Sequence, residues 1–97
     1  MEQEGDPLGS LIARRVLEHL VDWWPTPRDV EARSFALTGA DRDRDLLTVM
    51  EALCDAGLVM YEAIVMRDGT PCFRDTMVTK SGFAALQAMQ RRDPGPR

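Results

Sequence analysis

Residues 41–82 read DRDRDLLTVMEALCDAGLVMYEAIVMRDGTPCFRDTMVTKSG, and the pattern of this stretch decides the predicted fold. Its first part carries apolar residues at helical spacing and ends at Gly57, which suits the left-handed stop of a helix. Asp68-Gly69 then predicts a type I′ turn. We therefore expect a helix followed by a β-hairpin, with strands at 58–66 and 72–78.

The helix in this stretch has a defined start and a clear apolar face. Asp41 is the expected N-cap, and further carboxylates in the first turn favour the positive end of the helix dipole. A rotation of about 100° per residue predicts a buried stripe of Leu46, Val49, Met50 and Leu53. The exposed side then carries Arg44, Thr48, Glu51 and Asp55.

Further helices are predicted on both sides of this stretch. In the N-terminal part, helical spacing predicts a first helix whose apolar stripe is Ile12, Val16, Leu20 and Trp23. Pro25 stops that helix, and Thr26 with Pro27 predicts the N-cap and first residue of a second helix over 27–37. Thr79 is the expected N-cap of a last helix over 80–90.

The chain has 97 residues, which is enough for one domain around a single core. Residues 1–7 are expected to form a flexible acidic lead-in. Residues 8–90 form the folded domain, and residues 91–97, which are rich in proline and glycine, form a disordered tail.

Charge and composition favour a cytoplasmic protein that does not enter a membrane. The formal net charge is −4, and the N-terminus is acidic where a secretory signal would be basic and then apolar. No uncharged apolar run approaches the ~20 residues of a membrane span. An acidic chain is also unusual for a nucleic-acid binder, which normally carries a basic excess.

The sequence offers little catalytic chemistry. His19 is the single histidine, and no acid partner stands at motif spacing from it. No glycine-rich phosphate loop precedes a lysine, and the two cysteines lack metal-type spacing. We therefore expect neither an enzyme nor a bound cofactor or metal.

Two local motifs resemble the winged helix-turn-helix superfamily. LCDAGLV at 53–59 resembles the passage from recognition helix to wing, and VTKSGFAAL at 78–86 resembles the entry to the helix after the wing in MarR-like and PadR-like regulators. The resemblance implies a mainly α winged-helix fold: a three-helix bundle, a two-stranded wing and a C-terminal helix.

The same resemblance implies double-stranded DNA as the partner, bound by a possible homodimer. The third helix would enter the major groove, while the wing and its surroundings would contact the backbone or the minor groove. The implied contact residues are Arg42, Arg44 and Thr48 on the helix, Arg67 and Arg74 in the wing, and Arg28 and Lys80 beside them.

The alternative is a protein-interaction module that does not bind DNA. Glu51 and Asp55 lie on the side of the third helix that would face phosphates, and the net charge is negative. On this hypothesis the acidic third helix, the edge of the wing or the junction at Trp23-Trp24 would contact a protein partner.

Overall fold

The computed structural model describes the backbone of residues 7–92 and the side chains of residues 11–91. Along this part of the chain the elements are α1 (Pro7–Trp23), β1 (Arg28–Val30), a 3₁₀ turn (Ala32–Phe35), α2 (Arg42–Asp55), β2 (Val59–Met60), β3 (Ala63–Arg67), β4 (Thr70–Val78) and α3 (Lys80–Arg92). None of the described helices is long and apolar enough to span a membrane. Most of the predicted lead-in and tail lies outside the described residues.

The sheet corrects the predicted fold class. We expected a winged helix with a two-stranded wing, and this prediction is wrong, because the structure has a four-stranded antiparallel sheet combined with three α-helices. β4 lies at the centre of the sheet: β1 pairs along one of its sides, and β2 and β3 pair along the other.

The predicted second helix at 27–37 is replaced by β1 and the 3₁₀ turn. Val30 lies opposite Phe73 of β4, and both side chains are completely buried. Glu31 then caps the 3₁₀ turn through reciprocal contacts with Ser34. A helix cap is worth about 1 kcal/mol, whereas full burial of an apolar side chain is worth about 1.5–3 kcal/mol. The long-range pairing therefore outweighs the local helix signals.

The first and third predicted helices are present as α1 and α2. Of the predicted stripe on α1, Trp23 is exposed, whereas the other three residues are buried. All four predicted core residues of α2 are buried. Asp41 occupies the N-cap position, but its side chain contacts Arg44 at 3.1 Å and makes no capping hydrogen bond.

Gly57 ends α2 as the sequence predicts. Its φ is +76°, its N–H donates to the carbonyl of Cys54 at 3.0 Å, and the N–H of Leu58 donates to the carbonyl of Leu53 at 2.9 Å. This pair of hydrogen bonds is the Schellman arrangement, which needs a residue that tolerates the left-handed region.

The hairpin forms in the predicted register. Asp68 and Gly69 both have positive φ, as a type I′ turn requires, and Arg67 lies opposite Thr70. The first predicted strand is interrupted, however: β2 and β3 are separate strands with Tyr61-Glu62 between them.

α3 begins at a junction that joins three elements. The hydroxyl of Thr79 accepts a hydrogen bond from the N–H of Gly82 at 3.0 Å and donates one to the carbonyl of Gly57 at 2.6 Å. A Cβ atom at Gly82 would overlap the carbonyl of Leu58 and the side chain of Val78. The close approach of α3 to the end of α2 therefore depends on glycine at this position.

We expect Gly82→Ala to lower the free energy of unfolding by about 1–3 kcal/mol, because the added methyl group overpacks the junction. Chemical denaturation would measure the loss, with Ser81→Ala as the control, since that neighbouring side chain is exposed. An unchanged or higher stability of Gly82→Ala would contradict the close packing at this junction.

Candidate functional site

Two of the predicted DNA-contact residues on α2 are engaged within their own helix. The guanidinium of Arg44 lies 3.1 Å from Asp41 and 4.0 Å from Asp45. The hydroxyl of Thr48 donates to the carbonyl of Arg44 at 3.0 Å. Both side chains are exposed as predicted, but base contacts would have to replace these interactions.

The predicted wing arginines are paired with carboxylates near β1. Arg67 lies 3.9 Å from Asp29 and 3.8 Å from Glu31, and Arg74 lies 3.8 Å from Asp29. Asp29 also accepts a hydrogen bond from the N–H of Asp75 at 3.0 Å. Because the sequence placed Asp29 and Glu31 on a helix, it could not show that they lie beside the hairpin.

The remaining predicted contacts are scattered. Arg28 stacks over the ring of Trp23, 3.8 Å from its centroid. Lys80 is exposed at the start of α3 and makes no ion pair with the described residues. Arg42 donates to the carbonyl of Gly39 at 2.9 Å. Among the predicted contact residues, Arg67 and Arg74 therefore meet at Asp29, and Arg42 and Arg67 line the same polar cavity, described below.

The outer edge of the sheet at β3 exposes apolar side chains. Three apolar side chains are exposed along this edge: Met60 at 56% on the neighbouring strand β2, and Ile64 at 41% and Met66 at 67% on β3. Together they form what we call the open edge. Exposed apolar side chains along an unpaired strand edge are a feature that proteins usually avoid unless a partner covers them.

The backbone of the open edge is also free to pair. The two-residue turn makes Arg67 and Thr70 a hydrogen-bonded pair, so Val65 and Cys72 form the next such pair along the ladder. Ile64 and Met66 alternate with these residues, and their N–H and C=O groups therefore point away from β4. Among the described residues, no strand pairs with this side of β3.

An acidic zone lies next to the start of β3. Burial raises the pKa of the Tyr61 hydroxyl, and the nearby Cys54, Glu51 and Asp55 raise it further. A hydrogen bond with the carboxyl group of Asp75 raises the pKa of Glu62, which is fully exposed. The exposed carboxylates of Glu51, Asp55 and Glu62 therefore give this end of the open edge a negative potential.

The polar cavity lies between the 3₁₀ turn, the start of α2 and the tip of the hairpin, and its volume is about 220 Å³. Three arginines line it, Arg33, Arg42 and Arg67. Glu31, Asp68 and Thr70 complete its polar lining. This cavity could not be predicted from the sequence, because Arg33 and Glu31 reach it only when β1 pairs with β4.

The aromatic residues near the end of α1 are partly exposed. Trp24 packs edge-on against Phe83, and His19 packs edge-on against Phe35. Burial lowers the pKa of His19, and the positive charge of Arg28 lowers it further. His19 therefore behaves as a packed aromatic residue. No group of three or more metal-ligating side chains is close enough to hold an ion within the described part of the chain.

No protein-family model matches this chain, and no curated protein matches it either.

The pairing of β3 on only one of its sides predicts how fast each of its backbone amides exchanges hydrogen with the solvent. We expect the amides of Ile64 and Met66 to exchange rapidly with solvent, and those of Val65 and Arg67 to exchange slowly, because only the latter donate to β4. Residue-resolved hydrogen exchange measured by NMR would test this alternation. Equal protection of all four amides would show that another element or a second chain covers the edge.

Proposed function

We propose that this chain is a protein-interaction module that binds an extended segment of a partner protein as an added strand along β3. The observation that carries the proposal is the exposure of Met60, Ile64 and Met66 beside unpaired backbone groups. In strand addition, main-chain hydrogen bonds supply affinity, and alternate side chains of the partner supply specificity.

The strand lacks the devices that usually protect a free edge. Natural edges carry lysine, proline or inward-pointing charges that prevent pairing with another chain. β3 reads Ala-Ile-Val-Met-Arg, and its single charge stands at its last residue, Arg67. An unprotected apolar edge of this kind favours the interpretation that a partner covers it when the protein functions.

Charge and side-chain chemistry define the segment that would fit. Its apolar side chains would lie over Ile64 and Met66 on the same face of the extended sheet. Basic residues at one end would lie beside Glu51, Asp55 and Glu62, where opposite charge favours encounter and fixes orientation. The net charge of −4 also favours the association of this protein with a basic segment.

Selection of short random peptides against the purified protein would test the proposal. We expect the selected peptides to alternate apolar and polar residues and to carry a basic end. Met66→Pro should weaken their binding about tenfold or more, since it removes an outward N–H and an apolar contact. It leaves the ladder between β3 and β4 intact, because the N–H of Met66 does not point toward β4.

Leu11→Lys is the control, because Leu11 is also an exposed apolar residue, at 47%, but lies on α1. Met66→Lys provides a second variant that blocks the edge without changing the backbone. Circular dichroism would verify that the variants fold. Peptides that bind all variants equally, or that protect no amide of β3 from exchange, would refute strand addition.

DNA binding is the second candidate function, and one specific observation favours it. Arg42 and Arg67, predicted to contact DNA from separate elements, line the same cavity together with Arg33. A phosphate of the DNA backbone could therefore meet more than one guanidinium at once. Against it stand the paired Arg44 and Arg74 and the exposed carboxylates of α2.

A mobility-shift titration at low salt would test this second candidate. If DNA binds, Arg67→Gln should weaken binding to all sequences alike and reduce the salt slope by about one unit. Arg91→Gln is the control, since Arg91 is exposed on α3, away from the cavity. The absence of any shift at low salt, where electrostatic binding is strongest, would rule out this function.

A further inference from the structure

We infer that the polar cavity binds a phosphate group. The cavity shares no side chain with the open edge, so this inference stands independently of strand addition. It lies where the 3₁₀ turn, the first residue of α2 and the tip of the hairpin meet. Its lining therefore comes from segments that are distant in sequence and are brought together by the sheet.

The three guanidiniums retain donors that a ligand could use. Arg33 contacts Glu31 at 3.4 Å, and Arg42 uses one nitrogen to reach the carbonyl of Gly39 at 2.9 Å. The ion pairs of Arg67 are 3.8 and 3.9 Å long, which exceeds hydrogen-bond distance. Because each guanidinium carries several N–H groups in a fixed fork, most of these donors are not used by the protein itself.

Glu31 organises this lining. Its side chain is nine-tenths buried, accepts a hydrogen bond from the backbone N–H of Ser34 and pairs with both Arg33 and Arg67. A buried carboxylate that contacts two arginines restricts where their guanidiniums can lie. Glu31 is therefore a positioning residue, and it also offsets part of the repulsion between the two cations.

The charge of the lining suits an anion. Arg33, Arg42 and Arg67 line the cavity with the carboxylates of Glu31 and Asp68. Asp29, outside the lining, pairs with both Arg67 and Arg74, so four guanidiniums in this region face three carboxylates on a chain whose net charge is −4. Arg42 is the one of the three lining arginines that has no carboxylate of the described residues at ion-pair distance. A bound anion would pair with it and would also replace the long contacts of Arg67 by shorter ones.

Phosphate is an anion that fits this lining. The planar fork of arginine matches the oxygens of phosphate in a bidentate manner, and the hydroxyl of Thr70 adds a neutral donor. A volume of about 220 Å³ is below the ~300–1,000 Å³ of pockets for larger organic ligands. The cavity therefore fits free phosphate or a single phosphate of a larger molecule.

NMR titration of the purified chain with inorganic phosphate would test the inference, with sodium chloride at equal ionic strength as the reference. We expect saturable shifts of the backbone amides of Arg33, Arg42 and Thr70 with phosphate only. Arg67→Gln and Arg42→Gln should each weaken binding about tenfold. Arg67→Lys should weaken it too, because it keeps the charge but loses the fork.

Arg44→Gln is the matched control, because it removes the same charge from the same helix outside the cavity. It should leave the phosphate affinity unchanged. Arg33→Gln serves as the variant least able to disturb folding, since the Arg33 side chain is 80% exposed. Equal shifts with chloride, or equal weakening by Arg44→Gln, would overturn the inference. Either result would mean that phosphate responds to the overall charge of the protein and not to the cavity.

A short DNA duplex, added to the protein with phosphate bound, would distinguish the source of the phosphate group. Displacement of phosphate from the same amides would support the site and assign it to a nucleic-acid backbone. If phosphate stays bound, the site is supported and its ligand is free phosphate or a small phosphate ester. Failure of strand addition in the peptide experiment would leave both of these outcomes unaffected.

Discussion

The antiparallel pairing of β4 is the constraint on which the rest of the structure depends. β1, β2 and β3 each pair with β4, so every ladder of the described sheet includes this strand. Phe73 of β4 is fully buried opposite Val30 and packs edge-on against Tyr61. If β4 were displaced, β1 would lose its ladder, and the carboxylates beside it would leave the hairpin. Sheet pairing therefore fixes the core and the polar surface at the same time.

A second junction fixes how the helices meet this sheet. Thr79 follows β4 directly, caps α3 and bonds the carbonyl of Gly57 at the end of α2. Leu58, which follows Gly57, leads into β2, whose residues pair with the end of β4. Gly82 lets α3 approach this point without a side chain in between. One small region therefore relates α2, α3 and the sheet, and this explains the glycine and threonine found there.

The balance of charge shapes the two candidate surfaces differently. Asp29 and Glu31 pair with the hairpin arginines, so these cations are partly neutralised within the protein itself. This pairing weakens a broad electrostatic attraction to nucleic acid but prearranges donors around one small cavity. At the open edge β3 itself carries one charge, at Arg67, and the carboxylates of Glu51, Asp55 and Glu62 lie only near its start, so a bound segment would be held there mainly by apolar contacts and backbone hydrogen bonds. The two surfaces could therefore act without interfering with each other.

The sequence by itself determined the features that depend on neighbouring residues. The apolar stripe of α2, the stop at Gly57, the turn at Asp68-Gly69 and the cap at Thr79 all follow from local geometry, and all are present. Only the tertiary structure decided that residues 28–30 form a strand, because their helix signals are worth less than pairing and burial against β4. The polar cavity depends on this strand, and the exposure of Ile64 and Met66 depends on which elements cover the sheet. Both are consequences of contacts between residues far apart in the chain, which local periodicity does not encode.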